Sequence, residues 1–339
     1  MFLRNAWYVA AEACELTREP LGRVVLGDPI VLYRKEDGSA CALADRCAHR
    51  RAPLHKGRVV GDTLQCGYHG FVFDSAGLCI EIPGSDIRPP VTARVRSYPA
   101  CERHRYIWIW TGDPSLADPG TIPDLRTNDD PAWASTGERM PIAADYLLFV
   151  DNLLDLSHVA FVHRGTIGSD DSAASLRLEG GKESIRLVRE AQSIPTPPLY
   201  LKQGFGPRAN QTKVITYLPP ASVTIEITTT EVSENGSTPR SKHILIINVI
   251  TPETERTSHY FWASTRDFDI TDAELTSFFN RETRKAFLED QAILEAQQRS
   301  IDLDPSVPDV LVGVDVGPIQ ARKLMARLLE KESSLACTS

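Results

Sequence analysis

Two short Cys/His pairs are the residues in this 339-residue chain whose types and spacing can do chemistry: Cys47-Ala-His49 and Cys66-Gly-Tyr-His69. Thiolates and imidazoles are soft or borderline metal ligands, and four of them on two neighbouring loops can close a tetrahedral site or bind a cluster. Structural zinc uses this donor set too. Each loop, however, offers one thiolate and one imidazole rather than a pair of thiolates. That division suits a [2Fe–2S] cluster in which two cysteines bind one iron and two histidines the other. His55 falls inside the first loop but outside the paired spacing, and it is expected on the surface. Cys14, Cys41, Cys79, Cys101 and Cys337 have no histidine so close, and an odd total of seven in so long a chain is no disulfide framework.

The second constellation is Asn152-Leu-Leu-Asp155-Leu-Ser-His158, followed five residues later by His163. On a helix Asp155 and His158 share one face, whereas His163 requires the helix to end or bend near it. Taken alone, two helical histidines are more often polar surface than metal ligands.

The elements that position these residues follow from periodicity. Runs at 23–35, 40–47 and 105–110 are short, β-branched or aromatic, and bounded by Gly, Asp and Pro. The first third therefore reads as a small all-β sandwich or barrel. Residues 111–124, TGDPSLADPGTIPD, break the pattern and read as a connection. Residues 143–163 carry Leu147, Val150, Leu154 and Val159 at helical spacing. From about 175 to 265, five alternating segments predict an antiparallel sheet. Asp272 reads as the cap of a long helix, 273 to about 300, and Pro318 opens a last amphipathic helix to 332.

Lys and Arg total 37 against 45 Asp and Glu, a net charge of −8. An acidic chain without a basic run is a poor partner for nucleic acid or an anionic membrane. No apolar run approaches the ~20 residues of a spanning helix. The N-terminus lacks a basic region followed by a long apolar stretch, so a cytoplasmic protein is expected.

Read in full, the two loops, CAHRRAPLHKG and CGYHGFVFD, resemble the Rieske signature C-x-H-R-x-x-P-L-x-x-G … C-x-Y-H-G, with Pro53, Gly57, Tyr68 and Gly70 in place. With the Asn152–His163 string behind them, the order resembles the α subunits of Rieske non-haem iron oxygenases. MFLRNAWYVA, TPETERTSHYFWASTRDF (251–268) and GVDVGPIQARKLMARLL extend the likeness along the whole chain, towards the vanillate O-demethylase and dicamba monooxygenase group.

The resemblance implies an α+β chain: an N-terminal all-β Rieske [2Fe–2S] domain over 1–115, a linker over 116–137, and a catalytic domain over 138–339. The last is implied to be a helix-grip (START-like) antiparallel sheet with a long C-terminal helix. Cys47, His49, Cys66 and His69 are then the cluster ligands. His158, His163 and one carboxylate hold a mononuclear Fe(II). The family's F-x-x-E-D-x-x-x-L-x-x-Q-Q context puts that carboxylate at Asp290, with the adjacent Glu289 as its rival. Phe287 and Leu294 share the helix face of Asp290. Asn152 lies near the iron without being a firm ligand. Asp155 bridges His69 of one subunit to His158 or His163 of its neighbour in a homotrimer.

By the same resemblance, a separate reductase or ferredoxin passes electrons from NADH to the cluster and on to Fe(II). Dioxygen then supplies an oxygen atom to an aryl methoxy carbon, and the hemiacetal falls apart to a phenol and formaldehyde. The substrate implied is a vanillate-like methoxylated aromatic acid. The alternatives are hydroxylation of another aromatic, such as a methyl-arene sulfonate or a ring carbon, and a Rieske electron-transfer or binding protein without oxygen chemistry. Asn248 and Arg281 are the candidate substrate contacts, since an Arg fork suits an aromatic carboxylate. Arg281 and Arg284 can equally be a solvated helix face.

Overall fold

A computed structural model describes residues 1–84, 88–164, 175–181, 183–232 and 239–336, which leaves Cys337 outside the described residues. The chain divides into two units, Met1–Asp124 with Thr251–Glu255, and Leu125–Ile250 with Arg256–Ser339. The division falls inside the stretch 116–137 expected as a linker, and a strand already begins there at Ala134.

The first unit is all β: β1 (Trp7–Glu12), β2 (Leu21–Val25), β3 (Asp28–Arg34), β4 (Ala40–Ala44), β5 (Arg58–Val60), β6 (Thr63–Gln65), β7 (Val72–Phe73), β8 (Cys79–Glu81), β9 (Ser97–Tyr98), β10 (Ala100–Arg103) and β11 (Tyr106–Trp110). They form three sheets, ordered β1-β11-β10, β2-β3-β4-β9 and β5-β6-β7-β8. The run 23–35 is two strands rather than one. Leu26 and Gly27 both have positive φ, 51° and 79°, and turn the chain in a two-residue hairpin that pairs Val25 with Asp28. Leucine gives no sign of such a conformation, so residue type hides this turn. Val31, Tyr33, Leu43, Leu54, Leu64 and Phe73 form a core that includes Cys47 and Cys66.

The second unit carries β12 (Ala134–Ile142), β13 (Ser175–Gly180), β14 (Ile185–Pro195), β15 (Arg208–Leu218), β16 (Ser222–Glu231), β17 (Ser241–Pro252) and β18 (Ser258–Arg266). Its helices are α1 (Tyr146–Leu154), α2 (Val159–Val162), α3 (Pro198–Lys202), α4 (Ala273–Leu303) and α5 (Val316–Ala336). The sheet order is β12-β18-β17-β16-β15-β14-β13. The five expected segments are β14 to β18. The sequence pattern misses β12 because Gly137 and Pro141 interrupt its alternation; the edge of the sheet, where β12 lies, is where Pro is tolerated.

Asp272 caps α4 as expected, accepting from Leu275 N at 2.8 Å. One stripe of α4 at i, i+4, i+8 fixes its register on the sheet. The Phe287 ring lies 5.2 Å from Tyr260 and 5.4 Å from Trp262. Gln291 Nε2 donates to Pro141 O at 3.1 Å, and Glu295 Oε1 accepts from Ala143 N at 3.0 Å. α5 begins two residues before Pro318 and runs past the expected 332. Among the described residues, no helix is long and apolar enough to cross a membrane.

Candidate metal centres

The two Cys/His loops share one backbone plan. Cys47 N donates to Ala52 O at 2.8 Å while Arg51 N donates back to Cys47 O at 2.8 Å; Cys66 N donates to Phe71 O at 2.8 Å while Gly70 N donates back to Cys66 O at 3.0 Å. The fourth residue after each cysteine takes a positive φ, 58° at Arg51 and 73° at Gly70. Each turn folds its thiol inward and its histidine outward. Cys47 and Cys66 are 2% and 3% exposed, whereas His49 and His69 are exposed, their rings 4.7 Å apart between centroids.

Burial pushes the Cys47 thiol up, and Cys66 beside it adds to the rise. Neither thiol is in a disulfide. A metal centre deprotonates its sulfur ligands and so stabilises such a buried thiol as the thiolate. An inner pair of sulfurs and an outer pair of imidazoles fit the two unlike irons of a Rieske-type [2Fe–2S] cluster.

His55 departs from expectation. Buried Asp45 holds it twice, accepting from His55 N at 2.7 Å and pairing with Nδ1 of the ring. The ring lies over Gly22, where a Cβ would meet Nδ1 at 2.7 Å. Instead of decorating the surface, His55 ties the first loop to Asp45, two residues before Cys47. This link joins three separate segments, so no local spacing announces it.

In the second unit the helical pattern of 143–163 is interrupted. Asp145 caps α1, accepting from Leu147 N at 2.7 Å, and the helix stops at Leu154. Asp155 is extended, with φ −118° and ψ 95°, and a 3-10 turn, Leu156–His158, leads into α2. The Asp155 carboxylate accepts from Ser157 N and Oγ, both at 2.9 Å. Its backbone carbonyl, not the carboxylate, meets His158 Nδ1, at 2.6 Å. In its own chain the carboxylate thus faces Ser157, and the carbonyl faces the imidazole. The break frees the carbonyl that an unbroken helix would bind internally.

The break also lets His158 and His163 face α4 together. His163 Nε2 lies 3.2 Å and His158 Nε2 3.5 Å from Asp290 Oδ1. Among the described residues, these three side chains offer ligand atoms all within 4.8 Å of one another. Oxygen acceptors opposite each Nδ1, Asp155 O for His158 and Glu289 Oε2 at 2.8 Å for His163, place the hydrogens on Nδ1. Both Nε2 lone pairs then point at a carboxylate oxygen that is 2% exposed with its residue. Three lone-pair donors so close repel unless a cation lies between them. Burial pulls the His163 pKa down, but the carboxylates of Asp290 and Glu289 outweigh it and hold the imidazole above its ordinary value.

Asn152 Nδ2 donates to Asp290 Oδ1 at 3.2 Å. Its buried Oδ1 has no hydrogen-bond partner among the described residues, an acceptor left at the edge of the same site. Two imidazoles and one carboxylate on one face are the donor set of non-haem Fe(II) centres that keep positions open for dioxygen. Phe287 and Leu294 are buried on the Asp290 side of α4, as their spacing requires.

The substrate candidates fare differently. Arg281 precedes Asp290 by nine residues, which at 100° each puts it on the opposite helix face. Its side chain is 66% exposed and paired with Glu282 at 3.2 Å. Arg284 pairs with Glu138 at 2.7 Å. Asn248 is buried, but Nδ2 donates to Val223 O at 3.0 Å and Oδ1 accepts from Tyr260 OH at 2.6 Å. Its amide is committed to the sheet.

Residues 6–99 match the Rieske [2Fe-2S] domain, and residues 142–331 match the vanillate O-demethylase oxygenase C-terminal domain. The iron-sulfur subunit of the toluene-4-sulfonate monooxygenase system from Comamonas testosteroni is 39% identical, over 98% of this chain and 99% of its own. The oxygenase component of dicamba O-demethylase from Stenotrophomonas maltophilia is 39% identical, over 88% of each chain. The vanillate O-demethylase oxygenase subunit of a Pseudomonas species is 34% identical, over 99% of this chain and 97% of its own. The crystal structure of dicamba monooxygenase bound to dicamba superposes with a TM-score of 0.89 at 34% identity, covering 98% of this chain and 99% of that one. That enzyme has also been solved with its non-haem iron, where the TM-score is 0.86. This chain belongs to the vanillate O-demethylase oxygenase family of Rieske non-haem iron oxygenases, and its cofactors are a [2Fe–2S] cluster and a mononuclear iron.

Proposed function

We propose that the chain is the oxygenase component of a monooxygenase that removes a methyl group from a methoxylated aromatic acid, vanillate-like in kind. The carrying observation is the convergence of His158 and His163 on Asp290. Fe(II) held by these three side chains would supply dioxygen activation. The chain's own residues do the rest. The Asp155 carbonyl and the Glu289 carboxylate fix the two imidazoles, Asn152 holds Asp290, and Phe287 and Leu294 keep that face of the helix dry.

In the overall reaction one oxygen atom of O2 enters a methoxy C–H bond and the other leaves as water, with two electrons and two protons consumed. The hemiacetal so formed separates into a phenol and formaldehyde. The electrons come from NADH through a separate reductase or ferredoxin and enter at the cluster, whose ligands His49 and His69 are exposed. In a homotrimer, the cluster of one copy serves the iron of the next, and the Asp155 carboxylate accepts from His69 of that neighbouring copy. The protein works in the cytoplasm.

A second reading is hydroxylation of an arene methyl group, favoured by the match to a toluene-4-sulfonate monooxygenase subunit. The test is product analysis with a competent reductase and a panel of methoxybenzoates and methyl-arene sulfonates. Formaldehyde in step with NADH oxidation supports demethylation. Benzylic alcohol without formaldehyde replaces it with the second reading.

A further inference from the structure

Tyr260, Trp262 and Ser264 alternate onto one face of β18, beneath α4. The Trp262 ring meets Phe287 edge-on at 5.4 Å. Phe287 precedes Asp290 by three residues, a rise of about 4.5 Å along the helix, so Trp262 lies within about one helical turn of the iron-site carboxylate. Tyr260 also meets Phe287, whereas Arg266 donates to Thr276 Oγ1 at 2.9 Å near the start of α4. Strand and helix therefore run antiparallel. Ser264, about 7 Å beyond Trp262 along the strand, continues the line away from Asp290.

Two polar groups on this line have nothing to bond. Trp262 and Ser264 are 0% and 2% exposed, and neither Trp262 Nε1 nor Ser264 Oγ has a hydrogen-bond partner among the described residues. Their opposed neighbours on β12 are polar, but α4 takes them up. Glu138, across from Trp262, pairs with Arg284 at 2.7 Å, and Thr136, across from Ser264, accepts from Asn280 Nδ2 at 2.9 Å. Ile246 and Ile244, on the Asn248 face of β17, belong to an apolar cluster and offer no acceptor side chain. A buried donor without an acceptor is costly, and folded proteins retain few of them. An indole N–H can only donate, so its missing partner is an acceptor. Arg284 offsets the charge of Glu138, so the opposed carboxylate sets no net negative charge against an incoming anion. Hydrogen bonds to an ionised acceptor are the strong ones. Ordered water is the competing partner for the same donors.

We propose that Trp262 Nε1–H and Ser264 Oγ–H are the donors that receive the acidic group of the substrate, an aryl carboxylate or aryl sulfonate, and so turn the methyl-bearing end of the ring towards Asp290. This deepens the proposed function and rests on it for the aromatic character of the substrate. The two donors bind the end of the substrate remote from the reacting carbon.

The test measures dissociation constants by calorimetry for 4-methoxybenzoate, toluene-4-sulfonate and 4-methylanisole, which carries a methyl group where the first has its carboxylate. The proteins are the iron-loaded parent, Ser264→Ala, Ser264→Thr, which keeps the hydroxyl, and Trp262→Phe, which keeps a ring against Phe287 without the N–H. Each affinity is read relative to that of 4-methylanisole, so that packing lost with the indole cancels. On that scale, loss of either donor should weaken the acid by about 10- to 100-fold and raise the KM of whichever acid is turned over by a similar factor. Ser264→Thr should bind like the parent. A change for one acid alone names the acid the site takes. A relative affinity that is unchanged in Ser264→Ala and Trp262→Phe, because acid and 4-methylanisole hold or weaken together, leaves these donors to ordered water and overturns the receptor. A parent that binds an acid in this donor-dependent way but releases no formaldehyde from 4-methoxybenzoate leaves the receptor standing and overturns demethylation alone.

Discussion

His163 and Glu289 are joined from imidazole Nδ1 to carboxylate Oε2 at 2.8 Å, while the next residue, Asp290, faces Nε2 of the same ring at 3.2 Å. Adjacent acids on a helix point about 100° apart, so one can meet the metal while the other grips the far side of the ring. A carboxylate behind a ligating imidazole fixes its tautomer and raises its basicity, and its loss costs about 10- to 100-fold in metal affinity or activity. Glu289→Ala is therefore expected to weaken mononuclear iron binding by about that factor and leave the visible spectrum of the cluster unchanged. Iron titration of the apo site measures this. Complete loss of iron in Glu289→Ala, with retention in Asp290→Ala, reverses the two roles.

Asp155 separates two functions within one residue. Its carbonyl holds His158, and its carboxylate faces Ser157. Asp155→Asn keeps the carbonyl and an oxygen that can still cap Ser157, so iron loading should match the parent. If the carboxylate also accepts from His69 of a neighbouring copy, oxidation of the pre-reduced cluster in a single turnover should slow by about 10- to 100-fold. An Asp155→Asn protein that loses its iron contradicts the first statement; one that turns over like the parent contradicts the second.

His55→Ala breaks the anchor of the first cluster loop and leaves the buried Asp45 without its imidazole. An acceptor so stranded costs about 1–3 kcal/mol. The cluster absorbance should bleach at a lower temperature than in the parent, with the iron of the second unit retained at the temperature where bleaching begins. Bleaching at the parent's temperature would show that the anchor contributes nothing.

Phe287 meets Tyr260 and Trp262 on the sheet and sits on the Asp290 face of α4. Phe287→Ala should cost about 3–5 kcal/mol of stability, read as a lower denaturation midpoint in urea. A shift within the range of an exposed substitution would mean that α4 is held by its polar contacts instead.

The candidate metal ligands are legible because their chemistry is written in short spacings: two Cys/His pairs, and two histidines five residues apart. The geometry that activates them is not. Nothing in residues 152–163 marks Asp155 as the place where the helix opens, since its extended backbone is held by local capping rather than by a Gly or Pro. Glu289 and Asp290 are indistinguishable by type, and only their directions on α4 assign them. The position of Arg281 was readable from the start, because nine residues of helix point it away from Asp290. β12 stayed hidden behind Gly137 and Pro141, although it carries one edge of the sheet under α4.

The most direct test of the whole account is iron and acid-labile sulfide per chain, measured together with single-turnover reoxidation of the reduced cluster, in the parent and in Asp290→Ala. The parent should hold three irons and two sulfides, and O2 should reoxidise its cluster in the presence of an aromatic substrate. Asp290→Ala should hold two irons and two sulfides, with an unchanged cluster spectrum and no substrate-dependent reoxidation. Three irons in Asp290→Ala, or a parent that holds only two irons or holds zinc in their place, would contradict it.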